Sequence, residues 1–245
     1  MIMTHGLGAN TNVFGPLTEI FATEYTVVRI DWPGLGRSSL NKKGTMITMP
    51  SLVDVLEGIV DSLGIKSAVL VGHSLGGIVS MMVAARSPAL VSGLAVIGAG
   101  RTRATQPGPK AFTLDLARQA RKEGTWEKVD DRVLYNIPSS SPRLARALLR
   151  AVTAGTRPEG YAQICEALCD DSHLDPDYSL ISCPVCVIGG EYDNISPVGV
   201  TDELVEVIAK SGRRPSRHVL KTGHMMIVED AEGTETAIRS MLEKI

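Results

Sequence analysis

Ser74 stands between Gly72 and Gly76 in Val69-Leu-Val-Gly-His-Ser-Leu-Gly-Gly77, a G-x-S-x-G spacing preceded by an apolar run and followed by a helical pattern. A serine that exposes its hydroxyl at the end of a buried strand must sit in a sharp, strained turn, the nucleophile elbow. That turn brings its flanks so close to neighbouring backbone that only glycine fits at 72 and 76. A strand over Ala68 to Val71 and a helix from about Leu75 to Ala85 are expected on either side. The helix would aim its first amides at the place where a reacting carbonyl oxygen gains negative charge.

A serine nucleophile needs a base, and the base needs a group to orient it. Five histidines compete: His5, His73, His173, His218 and His224. His73 adjoins the serine, but neighbours on an elbow are expected to point apart. His218 falls inside a strand pattern, and His173 lies in the acidic run Asp170 to Asp175, where solvent is the expected surrounding. His224 follows the last strand in Lys221-Thr-Gly-His-Met, at the carboxyl edge of a sheet, where parallel α/β sheets bind ligands. For the orienting acid, Asp193 in Gly189-Gly-Glu-Tyr-Asp-Asn is best placed, directly after the preceding strand, with Glu191 as runner-up. The chain order Ser74, Asp193, His224 is that of a nucleophile, acid and base each carried at the end of its own strand. His5-Gly-Leu-Gly8 supplies a second amide, that of Leu7, opposite the amide of Leu75. Two such donors make an oxyanion hole.

The elements that must hold these residues alternate. Strands are expected at Met1 to Thr4, Thr26 to Asp31, Lys66 to Val71, Val91 to Gly98, Cys183 to Gly189 and His218 to Lys221. Helices are expected around Pro16 to Phe21, from an N-cap at Ser51 to Leu63, at Val200 to Ser211 and at Glu232 to Glu243. Between Arg101 and about Ser179 strand patterns vanish. Helical patterns replace them around Lys110 to Glu123, Asp130 to Tyr135, Pro142 to Ala154 and Glu159 to Cys169. The expected fold is α/β: a mostly parallel sheet with helices on both faces, its core in residues 1–100 and 180–245, with a helical cap inserted at 101–179.

The remaining composition narrows the function. The 245 residues carry a net charge of −2 and are 44% hydrophobic, which argues against nucleic acid or an anionic membrane as partner. No apolar run reaches the length of a membrane span, and no signal peptide opens the sequence, so a cytoplasmic protein is expected. Cys165, Cys169, Cys183 and Cys186 are read as buried reduced thiols. Cys183-Pro-Val-Cys186 lies in a strand pattern and no second ligand pair accompanies it, so neither a metal nor another cofactor is expected. With only three phenylalanines, the cap pocket is expected to be more aliphatic than aromatic, with Trp126 and Tyr161 its candidate rings.

The pieces His5-Gly-Leu-Gly-Ala-Asn, Asp31-Trp-Pro-Gly-Leu-Gly-Arg-Ser-Ser, Gly72-His-Ser-Leu-Gly-Gly, Gly190-Glu-Tyr-Asp and Gly223-His together resemble the α/β-hydrolase superfamily over nearly the whole chain. The segment Arg157-Pro-Glu-Gly-Tyr-Ala-Gln-Ile-Cys-Glu-Ala-Leu168 is similar to the cap helix of 3-oxoadipate enol-lactonases, which hydrolyse a small anionic lactone. The resemblance implies Ser74, Asp193 and His224 as catalytic triad, the Leu7 and Leu75 amides as oxyanion hole, and a small ester or lactone as substrate. Carbon–carbon-bond hydrolases share the cap type, and a slow-turnover receptor or a pseudo-enzyme could keep the triad. Family members usually carry two antiparallel strands ahead of the His-Gly strand. The sequence begins inside that strand, so the sheet is expected to lack its first two strands, with a weakened edge and a possible homo-oligomer.

Overall fold

Successive residues of a strand face opposite sides of a sheet, and in this chain both sides are apolar. The computed structural model describes residues 1–40, 46–124, 131 and 135–245. Its strands are β1 (Ile2–Thr4), β2 (Val28–Ile30), β3 (Ala68–His73), β4 (Val91–Ile97), β5 (Val185–Gly190) and β6 (Ser216–Leu220). They form one sheet in the order β2-β1-β3-β4-β5-β6, and every pairing is parallel. Ile2, Leu70, Leu94, Val96, Val185 and Val187 belong to one buried cluster. Their neighbours Met3, Val69, Val71, Ala95, Ile97, Cys186 and Ile188 belong to another. A sheet apolar on both faces must be covered on both, as parallel sheets are.

Helices α2 (Met49–Ser62), α3 (Leu75–Arg86) and α7 (Val198–Ile208) cover the first face, contributing Leu52, Val79 and Leu204. Helices α1 (Gly15–Phe21) and α9 (Ala231–Leu242) cover the second through Leu17, Phe21, Ile238 and Met241. Between β4 and β5 run α4 (Pro107–Glu123), α5 (Arg143–Ala154) and α6 (Pro158–Cys169). A one-turn helix α8 (Met226–Glu229), not expected from sequence, follows β6. Trp126 lies outside the described residues, as does most of the helix expected over Asp130 to Tyr135.

Two expectations shift at the element ends. Helix α2 starts before Ser51: Thr48 is the N-cap, its hydroxyl accepting from the Ser51 amide at 3.2 Å while Ser51 Oγ accepts from the Thr48 amide at 2.9 Å. Pro50 is tolerated inside because its absent N–H belongs to the unpaired first turn. The Thr26 to Asp31 strand contracts to Val28–Ile30, which pairs with β1 alone and forms one edge of the sheet.

The order of strands locates the site. From β1 the chain crosses to β2 on one side and then to β3 on the other, so the crossings diverge between β1 and β3. At such a switch point the loops leaving the carboxyl ends part and leave a crevice. The loops that part here are His5–Gly8 and the turn at Ser74.

Candidate active site

Ser74 has φ 52° and ψ −117°, the one non-glycine residue with positive φ among those described. A conformation this rare persists only when its surroundings enforce it. They do: its amide is held by Ile97 O at 2.8 Å, and its own carbonyl accepts the Ile78 amide at 3.1 Å. The neighbouring glycines carry the close approaches expected of them. A Cβ on Gly72 would meet Gly76 O at 2.4 Å, and one on Gly76 would meet Thr4 O at 2.1 Å. Helix α3 can therefore start only against bare backbone.

Asp193 and His224 meet as a pair. Asp193 Oδ2 lies 2.8 Å from His224 Nδ1, and Oδ1 accepts the amides of Ile195 at 2.7 Å and Ser196 at 2.9 Å. Both side chains are buried, whereas Glu191 is exposed. With a carboxylate at Nδ1, the imidazole carries its proton there and leaves Nε2 as a lone pair, the tautomer a general base needs. His224 and Ser74 line one cavity of about 580 Å³. Among the described residues no hydrogen bond yet joins them, a gap common before substrate closes such sites.

Leu7 and Leu75 line the same cavity. Leu75 opens α3, so its amide has no intrahelical acceptor. The turn carrying Leu7 is pressed against α6 and the residues before it. Thr156 Oγ1 donates to Gly8 O at 2.8 Å, and a Cβ on Gly8 (φ +71°) would meet the Tyr161 ring at 2.9 Å. Tyr161 thus lines the cavity and also backs the turn.

Two histidines sit differently from expectation, and a third, His5, has a structural role. His73 does not point away from the site: its ring centroid lies 4.9 Å from that of His224, and Nε2–H donates to His224 O at 2.8 Å. The strained turn at 74 rotates only the residue that carries it, leaving His73 on the last, buried position of β3. Burial first, then repulsion from the neighbouring His224, lowers the His73 pKa to about 3. Its Nδ1 is buried without a partner. His173 is buried rather than solvated, because its ring turns inward and Nδ1–H donates to Leu168 O at 2.8 Å while Asp170 and Asp171 face out. Burial lowers the His5 pKa to about 4, and this ring is used for architecture. Its Nδ1–H donates to Gly6 O at 2.8 Å and its Nε2 accepts the Trp32 amide at 3.2 Å. His218 meets Ser240 Oγ at 3.1 Å, well placed for a strand residue.

Sequence reasoning passed over several cavity residues. Phe112 and Tyr135 meet at its rim with ring centroids 6.0 Å apart, while Leu7, Leu75, Ile78, Leu116, Leu168 and Val200 keep the lining more aliphatic than aromatic, as the scarcity of phenylalanine suggested. Arg101 and Arg103 reach it from the loop after β4. Arg101 is engaged by Asp175 and Glu203. Arg103 makes a hydrogen bond to Thr113 Oγ1 at 2.7 Å and has no carboxylate partner among the described residues. The four cysteines are buried, with burial raising Cys183 to about 11 and Cys186 to about 12. Among the described residues no three His, Cys, Asp or Glu side chains are grouped to hold a metal ion, and no helix is long and apolar enough to cross a membrane.

Residues 1–237 match the alpha/beta hydrolase family. A 3-oxoadipate enol-lactonase of Acinetobacter baylyi is 26% identical over 255 aligned residues, spanning 100% of this chain and 88% of the relative. A 2-(acetamidomethylene)succinate hydrolase of Mesorhizobium japonicum is 29% identical over 78% of this chain and 70% of its own. Among solved structures, a thermophilic esterase of Thermogutta terrifontis with malate bound superposes with a TM-score of 0.88 at 24% identity, covering 99% of this chain and 89% of that one. The enol-lactonase of Burkholderia xenovorans LB400 gives 0.87 at 23% identity, over 99% and 90%.

Proposed function

The chain belongs to the alpha/beta hydrolase family, and from that premise we propose that it hydrolyses a small ester or lactone through an acyl-enzyme on Ser74. The observation that carries this is the serine in its forced turn, sharing a cavity with an imidazole whose Nδ1 is held by a buried carboxylate. In this reading Ser74 Oγ attacks the carbonyl carbon as His224 Nε2 takes its proton. The amides of Leu7 and Leu75 receive the charge on the carbonyl oxygen. The protonated His224 then gives its proton to the leaving oxygen. Water attacks the acyl-enzyme by the same route in reverse, and Asp193 holds the imidazole throughout.

The inserted helices act as a cap whose residues shape the substrate. Arg103, a cation in the cavity wall without a carboxylate partner among the described residues, favours a substrate bearing a carboxylate. The relatives named for oxoadipate and succinate derivatives agree with that preference. Fluorophosphonate labelling, followed by hydrolysis assays on enol lactones, simple lactones, p-nitrophenyl esters and ring-cleavage diketones, tests the reading. Labelling should fall on Ser74 and vanish in Ser74→Ala, with turnover of an ester or lactone reduced at least about a thousandfold. Turnover of diketones alone, or near-native turnover by Ser74→Ala, would refute it.

A further inference from the structure

The turn that carries His224 has three consecutive amides, at Gly223, His224 and Met225, each of which needs an acceptor once buried. The His224 amide goes to Asn136 O at 2.6 Å. The other two converge on one side chain: Glu229 Oε2 accepts the Gly223 amide at 2.9 Å, and Glu229 Oε1 accepts the Met225 amide at 3.0 Å. Glu229 Oε2 also accepts from Ser141 Oγ at 2.6 Å, in the segment leading into α5. Glu229 does not line the cavity.

We propose that Glu229 is a positioning residue for His224, its carboxylate spanning the turn from the amide before the histidine to the amide after it. The proposal rests on His224 being the base. With both flanking amides drawn to one carboxylate, the His224 side chain is directed to the opposite side, towards Asp193. Helix α8 makes the strap short and stiff, since Glu229 is its last residue and its amide returns to Met225 O at 3.0 Å. The turn has no slack on its other side either, because a Cβ on Gly223 would meet Asn136 O at 2.6 Å. The Ser141 bond adds a link between the base and the inserted helices.

A carboxylate is suited to this task and an amide is not. Three donors point at the two oxygens of Glu229, so the –NH2 of a glutamine would face a donor whichever way it turned. Glu229→Gln therefore keeps the size of the side chain and loses at least one end of the strap. The charged and titratable groups facing His224 are Asp193 at Nδ1, His73 against the ring, and Glu229 behind the turn. Of these only Glu229 changes in the variant. Losing a negative charge there disfavours the imidazolium, so the His224 titration moves to lower pH.

The test compares wild type, Glu229→Gln and Ser141→Ala by the rate of fluorophosphonate labelling at Ser74, the split of kcat from KM, melting temperature, and His224 titration followed by NMR. Glu229→Gln should label and turn over about 10–100-fold more slowly. KM should stay within about twofold, as expected of a group that meets no substrate. Its His224 titration should lie below that of wild type, and Ser141→Ala should show a smaller loss of rate. Unchanged labelling and titration in a folded Glu229→Gln would overturn the proposal, as would a rate loss that tracks the unfolded fraction across temperature. Wild type that does not label at all would instead overturn the serine-hydrolase reading. The NMR titration of His224 would then still decide whether Glu229 acts on the imidazole.

Discussion

Asp193→Asn is the substitution whose outcome the geometry constrains most tightly. Asp193 Oδ1 faces two amides, those of Ile195 and Ser196 at 2.7 and 2.9 Å, while Oδ2 faces His224 Nδ1. An asparagine has one oxygen to offer, and two fixed donors compete for it against one imidazole. Turning the –NH2 onto the two amides would leave both buried donors unpaired, at ~1–3 kcal/mol each. The oxygen therefore stays with the amides and the –NH2 points at Nδ1. That donor can be met only by an Nδ1 lone pair, which moves the imidazole proton to Nε2. His224 then presents an N–H to Ser74 where a base is needed. A comparable change in a serine-protease triad lowers kcat about 10⁴-fold, or ~5 kcal/mol at ~1.36 kcal/mol per decade. A similar loss is expected here, with the melting temperature within a few degrees of wild type. The assay is single-turnover acylation at neutral pH, paired with imidazole ¹⁵N shifts to read the tautomer. Acylation within tenfold of wild type, with the proton shown on Nε2, would refute the reasoning.

Acid stability follows from the two buried rings. The His5 and His73 pKa values, about 4 and about 3 in the folded chain, lie below the unfolded value of ~6.5. Between these values the unfolded chain takes up protons that the folded chain refuses, so stability is full above about pH 6.5 and declines as pH falls towards 4. Melting temperature should therefore drop between pH 6.5 and 5, above the range where most carboxylates titrate, and a flat profile there would contradict neutral burial of both rings. For Arg103→Gln, KM for a carboxylate-bearing ester should rise about 10–100-fold, from the ~1.5–3 kcal/mol of a hydrogen bond to a charged group. Values for a neutral ester of the same size should barely move, and equal shifts for the two esters would remove Arg103 from recognition.

That Ser74, Asp193 and His224 come together was legible because each follows its own strand, and parallel strands deliver their ends to one edge. The glycines at 72 and 76 were legible for a similar reason, since the turn leaves room for nothing larger. His73 was not, because its direction depends on where the strand ends and the positive φ begins, a matter of one residue. His173 was misjudged from its charged neighbours, whose solvation says nothing about a ring that finds a carbonyl inside. Glu229 gave no signal, being one acid of several in a run with Asp230, Glu232 and Glu235. Its role appears only once the turn brings Gly223 and Met225 to the same carboxylate. Thr48 displaced Ser51 as cap because the two form a reciprocal pair in which the earlier residue caps and Ser51 stands third in the helix.

The grip of the inserted helices on the loops that carry Leu7 and His224 bears on how this fold can diversify. Thr156 holds the turn of Leu7 through Gly8 O, and Asn136 O and Ser141 hold the turn of His224. A lineage, or an engineer, that exchanges this helical segment for one of different specificity therefore removes supports of the machinery along with the old pocket. A successful graft must supply a hydroxyl at the first contact and a carbonyl at the second before its new pocket counts for anything. Specificity here is not a detachable module. Changes confined to the rim, at Phe112 or Tyr135, leave those supports in place and give the shorter route to a new substrate.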